Sequence, residues 1–218
     1  MKRPEEIKRR TELLARNFEH YLLAFDENPA FRKPEQLQKH VATIKKRREL
    51  GSASAAATDI RFLSLLYETL NAWGIGQRGS KLPPFSEVGG AVGACASAIP
   101  DLDGMVLEDS TLDVDGVAQK TWNLIESFDI VANETKLVPC TKALHHLLPD
   151  LIVPMHREFT RTFFGWNVPE FQYKQKKIFH HAFRPSRFVG SGRRTSSTKV
   201  IDNALVAFCR VECLPIPS

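Results

Sequence analysis

Apolar residues recur along most of this chain at helical spacing, and the stretches between them carry glycine, proline and acidic residues, so the pattern predicts an all-α protein. From Glu5 to Phe25, the positions Leu13, Leu14, Phe18, Tyr21, Leu22 and Phe25 mark one amphipathic helix that packs on a core. Pro34 suits the first turn of a second helix running through Leu50, with Leu37, Val41 and Ile44 on one side. Lys45 to Arg48 complement the negative end of that helix's dipole, and Gly51 stops it. Ser54 is the expected cap of a third helix carrying Ile60, Leu63, Leu66, Tyr67, Leu70 and Trp73, a strongly apolar face that belongs near the centre. Gly74, Gly76 and Gly79, then Pro83-Pro84, predict a loop over 74–84.

The second half is read in the same way. Phe85 to Ile99 is rich in Gly and Ala and fits either a closely packed helix or irregular chain; Asp101 to Asp115 reads as a loop and Val117 to Ile130 as a helix through Trp122, Ile125 and Phe128. Leu144, Leu147 and Leu148 share one face of a helix that Pro149 ends, and Pro154 opens a short helix that turns Phe159, Phe163 and Phe164 inward. A last helix starts near Ser197 and buries Val200, Ile201, Leu205, Val206 and Phe208. No hairpin signal and no internal repeat appears. The expectation is a single compact multi-helix domain over 1–218, with a helical bundle over 1–135 and a helix-turn-helix segment with a basic tract over 136–218 as the alternative division.

Composition narrows the class. With 218 residues and 43% hydrophobic content, the chain is able to bury a substantial core. It has no long uncharged apolar run, and its charged start lacks a signal-peptide core, so no membrane contact and an intracellular location are expected. Cys95 and Cys140 are isolated and Cys209 and Cys213 are four apart, which is no secreted disulfide framework, and reduced thiols follow. Charge falls in three blocks. Residues 1–50 carry 13 Lys/Arg against 8 Asp/Glu, residues 51–150 carry 6 against 13, and residues 151–218 carry 11 against 4. Basic ends that meet would form one surface for phosphate backbones, a partner class that makes nucleic acid, DNA first, the expected ligand.

Chemistry concentrates between Lys136 and Phe164, KLVPCTKALHHLLPDLIVPMHREFTRTFF. Thr141-Lys142 on one helix, followed by Pro154-Met155-His156 opening the next, resembles the nucleophile-bearing segment of the helix-hairpin-helix DNA glycosylase superfamily, in which a lysine on a helix is followed by a Pro-x-Asp step. The resemblance implies an all-helical fold, DNA as partner and no cofactor. It also implies that Lys142, shielded from water, acts as an amine nucleophile on the anomeric carbon of a damaged nucleoside and holds the sugar as a Schiff base. Pro139 and Cys140 stand where the family has hairpin glycines, and His156 stands at the aspartate position; neutral, it would relay a proton, with Glu158 the nearest following carboxylate.

A second candidate element is the tract from Phe171 to Arg194. Lys174, Lys176, Lys177, Arg184, Arg187, Arg193 and Arg194 suit phosphates, while Tyr173, Phe179 or Phe183 suit stacking on exposed bases. Other readings stay open at this point: a protein-interaction module using the acidic middle and basic ends, and a small-molecule enzyme using His145, His146 and His156. Adjacent histidines point to different sides of a helix, so a metal centre is not expected. The Gly74-x-Gly76-x-x-Gly79 spelling follows a helix and no strand, so it is not a dinucleotide fingerprint.

Overall fold

The computed structural model describes residues 3–29, 33–77, 81–132, 134–190 and 198–213. Among them the chain forms twelve α-helices and a terminal π turn, with no strand, in agreement with the all-α expectation. The helices are α1 (Arg3–Arg16), α2 (Phe18–Glu27), α3 (Pro34–Glu49), α4 (Ala53–Thr58), α5 (Ile60–Ala72), α6 (Phe85–Ala94), α7 (Val114–Ser127), α8 (Leu137–Leu147), α9 (Arg157–Phe163), α10 (Val168–Tyr173), α11 (Gln175–Gly190) and α12 (Thr198–Phe208), and the π turn spans Cys209–Cys213.

Local chemistry explains where several predicted elements divide. The helix expected over Glu5 to Phe25 breaks at Asn17 into α1 and α2. The third predicted helix is two: Ser52, not Ser54, caps α4 by accepting from the Ala55 amide at 3.1 Å, and Asp59 caps α5 by accepting from the Phe62 amide at 2.7 Å. Each short polar side chain satisfies an amide that the first helical turn leaves without a partner. Gly51 follows α3 with a φ of 74°, the left-handed conformation that ends a helix at little cost for glycine.

Helix α3 turns a polar face to the core: Leu37 and Val41 are 48% and 55% exposed, while His40, Thr43 and Arg47 face inward. Each inward polar group has a partner. Thr43 and Thr69 hydroxyls lie 2.8 Å apart, and Arg47 donates to the Leu147 carbonyl and to Asp103, both at 2.6 Å. Asp103 also accepts from the Ala53 amide at 2.8 Å, so this network joins α3, α4, the acidic loop and the end of α8. Buried polar groups matched in this way avoid the desolvation cost that an unpaired one would carry.

Helix α8 lies in the middle of the molecule, in contact with α3, α4, α5, α7 and α11. Nine of its residues between Leu137 and Leu147 are buried, and only Val138 and Lys142 keep partial exposure. Pro139 sits in its first turn, where a missing amide costs no bond. The chain ends also meet: α2 packs along α12, and α1 along α11. One contiguous core runs from Leu14 in α1 to Cys209. Among the described residues, no helix is long and apolar enough to cross a membrane.

Candidate functional site

Lys142 is one of the few residues of α8 that retains exposure to solvent. The segment after the helix reverses and runs back along it. The His145 ring lies 2.9 Å from the Ile152 carbonyl through Nδ1, and the Met155 amide donates to Thr141 Oγ1 at 3.2 Å. This reversal brings His156 beside the turn that holds Lys142. Thr198, at the start of α12, donates its hydroxyl to the carbonyls of Pro149 and Ile152 at 2.7 and 2.6 Å, which draws the first turn of α12 onto the same place. That turn carries Lys199 and Asp202, an ion pair in which both residues are 8% exposed. Trp73, at the end of α5, forms the floor: the ammonium groups of Lys142 and Lys199 each lie 5.5 Å from its ring centroid.

The electrostatics follow from this crowding. Burial lowers the Lys142 pKa to about 8; the negative charge of Asp202 opposes that shift and the positive charge of Lys199 adds to it. No hydrogen bond or ion pair to the described residues occupies its Nζ, whose only close neighbour of this kind is the Trp73 ring. His156 is lowered by burial and by the charge of Lys142, so it is neutral at neutral pH, and its Nδ1 is buried without a partner among the described residues. The arrangement is an amine of reduced proton affinity over an aromatic ring, with a neutral imidazole and the Asp202 carboxylate close by.

The structure separates the other residues singled out above. Glu158 is exposed, and its charge acts on His156; the carboxylate that acts on Lys142 is Asp202. His145 and His146 are fully buried. His146 donates through Nδ1 to the Lys142 carbonyl at 2.8 Å, which leaves its Nε2 to accept from His40 Nδ1 at 3.0 Å. These histidines cross-link α3 and α8 inside the fold, and no group of three His, Cys, Asp or Glu side chains among the described residues is placed to hold a metal ion.

The aromatic and basic tract forms a distinct feature. Tyr173, Lys174, Lys176, Lys177 and Arg184 line an open groove of about 1010 Å³ together with Lys136, His180 and His181, and with two acidic residues, Glu126 and Glu134. Tyr173 is 76% exposed, whereas Phe179 and Phe183 are 1% and 4% exposed and belong to the core. Their four-residue spacing along α11 places both inward, so of these three aromatic side chains only Tyr173 is exposed. Lys174 is engaged by Glu170 at 3.3 Å and Arg184 by Asp115 at 2.7 Å. Arg193, Arg194 and the side chain of Arg187 lie outside the described residues. No residue lining this groove belongs to the Lys142 cluster.

Sequence reasoning found Lys142 and His156 but passed over Trp73, His40, Lys199 and Asp202. A signal for the last two was present: Lys199 and Asp202, three apart, are charges set in the otherwise apolar run of the final helix. No protein-family model matches the chain, and no curated protein or solved structure matches it either.

Proposed function

We propose that this protein binds nucleic acid and acts as a DNA glycosylase/lyase-type enzyme, with Lys142 as its amine nucleophile toward the sugar carbon of a damaged or abasic nucleoside. The observation that carries the reading is the state of Lys142: an accessible amine without an ion-pair partner among the described residues, held at a pKa of about 8. About a tenth of such an amine is unprotonated at pH 7, against well under a hundredth for an ordinary lysine, and the unprotonated form is what attack on an aldehyde carbon needs. The amine adds to the open-chain sugar aldehyde, water leaves, and a cationic imine remains. Asp202 supplies the negative charge that stabilises that cation, in the role that the family resemblance gives to an aspartate at position 156. His156, neutral and with a free ring nitrogen, takes and returns the protons of the water-loss step. The groove around Tyr173 and Lys176 supports the nucleic-acid half of the reading, since exposed aromatic and basic side chains together suit a single strand with unstacked bases.

Borohydride reduction in the presence of DNA containing an abasic site tests the catalytic half. A covalent protein–DNA adduct is expected from the natural sequence and none from Lys142→Ala. A second reading, nucleic-acid binding without chemistry, is favoured by the separation of the groove from the Lys142 cluster. It predicts salt-dependent binding of the same DNA with no trapped adduct. If neither binding nor an adduct is detected at low salt, both readings fail.

A further inference from the structure

The sequence contains one close cysteine pair, and the function proposed above does not use it. Cys209 and Cys213 bound the π turn that continues α12. Both are free thiols and differ in access: Cys209 is fully buried with its Sγ 3.5 Å from the Phe159 carbonyl, while Cys213 is partly exposed. A π turn holds more residues per turn at a smaller rise than an α-helix, so positions four apart approach more closely. Such turns also occur often at functional sites. Each thiol acts on the titration of the other, as neighbours one turn apart do. The turn around them is anchored from outside: Tyr21 donates to Glu212 at 3.0 Å, and Arg210 donates to the Asn28 carbonyl and lies 5.5 Å over the Phe159 ring. At Cys213 the neighbouring Cys209 thiol and then the charge of Arg10 favour a thiolate, with burial, Glu212 and Glu6 opposing it.

We propose that Cys209 and Cys213 are a peroxide-sensitive dithiol that closes reversibly into an intrachain disulfide across the π turn. Cys213 reacts first because it is the accessible sulfur. The thiolate attacks one oxygen of hydrogen peroxide, the O–O bond breaks and hydroxide leaves, so the sulfur is oxidised to a sulfenic acid and the peroxide is reduced. Cys209 then attacks that sulfur; the S–S bond forms, the S–O bond breaks, and the departing hydroxide takes the Cys209 proton to leave as water. Two thiols and one peroxide give one disulfide and two waters. Placement of the two thiols at the ends of one π turn favours closure over further oxidation of Cys213. Cys95 and Cys140 do not compete, because both are buried and burial pushes both thiols up.

The test uses the full chain, folded, with maleimide and hydrogen peroxide as probes. In the reduced protein Cys213 is expected to label on the order of tenfold faster than Cys95 or Cys140. After peroxide, the intact mass should fall by two hydrogens, a peptide linking Cys209 to Cys213 should appear, and dithiothreitol should restore both thiols. In Cys209→Ser, Cys213 should instead accumulate as a sulfenic acid trapped by dimedone. The proposal is overturned if Cys213 labels no faster than Cys95 and Cys140. It is equally overturned if peroxide takes Cys213 of the natural sequence to a sulfinic acid while Cys209 remains a thiol.

Discussion

Acidification from neutral pH to 4.5 tests whether the histidines inside this fold are held uncharged. His40 and His146 are buried, and burial is the leading cause that depresses them, to about 3 and about 4; His145 is shifted the same way. A histidine in the unfolded chain titrates near 6.5. Because the folded values lie below the unfolded one, the unfolded state takes up protons first. The stability associated with these groups is complete above pH 6.5 and is lost as the pH falls toward the folded values. At pH 4.5 His40 and His146 remain largely neutral in the fold while both are charged in the unfolded chain. Two pH units at about 1.4 kcal/mol per unit give at most about 2.8 kcal/mol for each, and about 5–6 kcal/mol for the pair. Total stability for a domain is on the order of 5–15 kcal/mol, so this loss is a large share of it. The window is diagnostic. The carboxylates of Glu6 and Glu170, held at about 2 chiefly by hydrogen bonds from Arg9 and Arg3, lose their contribution only below about pH 4.5. Urea unfolding followed by tryptophan fluorescence should show the midpoint falling steeply between pH 6.5 and 4.5. In His40→Asn, which keeps an N–H directed at His146, about half of that pH dependence should disappear. A midpoint that stays constant to pH 4.5, or ring resonances of His40 and His146 that titrate near 6.5 in the folded protein, would refute the reasoning.

Arg47→Ala removes the donor to Leu147 and Asp103 and leaves a buried carbonyl and a partly buried carboxylate without it; a loss of about 3–5 kcal/mol in urea unfolding is expected, against less than about 0.5 kcal/mol for Val41→Ser on the exposed face of the same helix. Asp202→Asn leaves the Lys199 ammonium buried without its counter-charge and takes away the charge that raises the Lys142 pKa. Stability should fall, and the pH midpoint of covalent trapping at Lys142 should move below about 8. Tyr173→Ala should weaken single-strand binding by about 1–3 kcal/mol with an unchanged salt slope, whereas Lys176→Ala should flatten the slope, both read from titrations at several salt concentrations.

Where a helix carried an apolar stripe, its position could be read from the chain: α7, α8 and α12 lie close to where Trp122, Leu144 and Leu205 place them. On α3 the apolar side chains do not mark the inward face. Leu37 and Val41 are exposed there since the space beside α3 is filled by polar groups of other segments, His146, Thr69 and Asp103, to which His40, Thr43 and Arg47 are matched. Lys142 and His156 were visible as a lysine and a histidine in an apolar block. Their relation to Asp202 and Trp73 was not, because those residues come from α12 and α5, far away along the chain.

By itself the sequence determined that this chain is helical and that a lysine and histidines stand in the apolar block from Lys136 to Phe164, because helical periodicity and the apolar content of a segment are local properties. Which carboxylate faces Lys142, which face of α3 is buried, and that Tyr173 and not Phe179 or Phe183 is available for stacking were decided only by the tertiary structure. Each of these depends on what a neighbouring segment presents at the point of contact. Desolvation and charge matching between distant parts of the chain settle that, and no spacing within one segment encodes it.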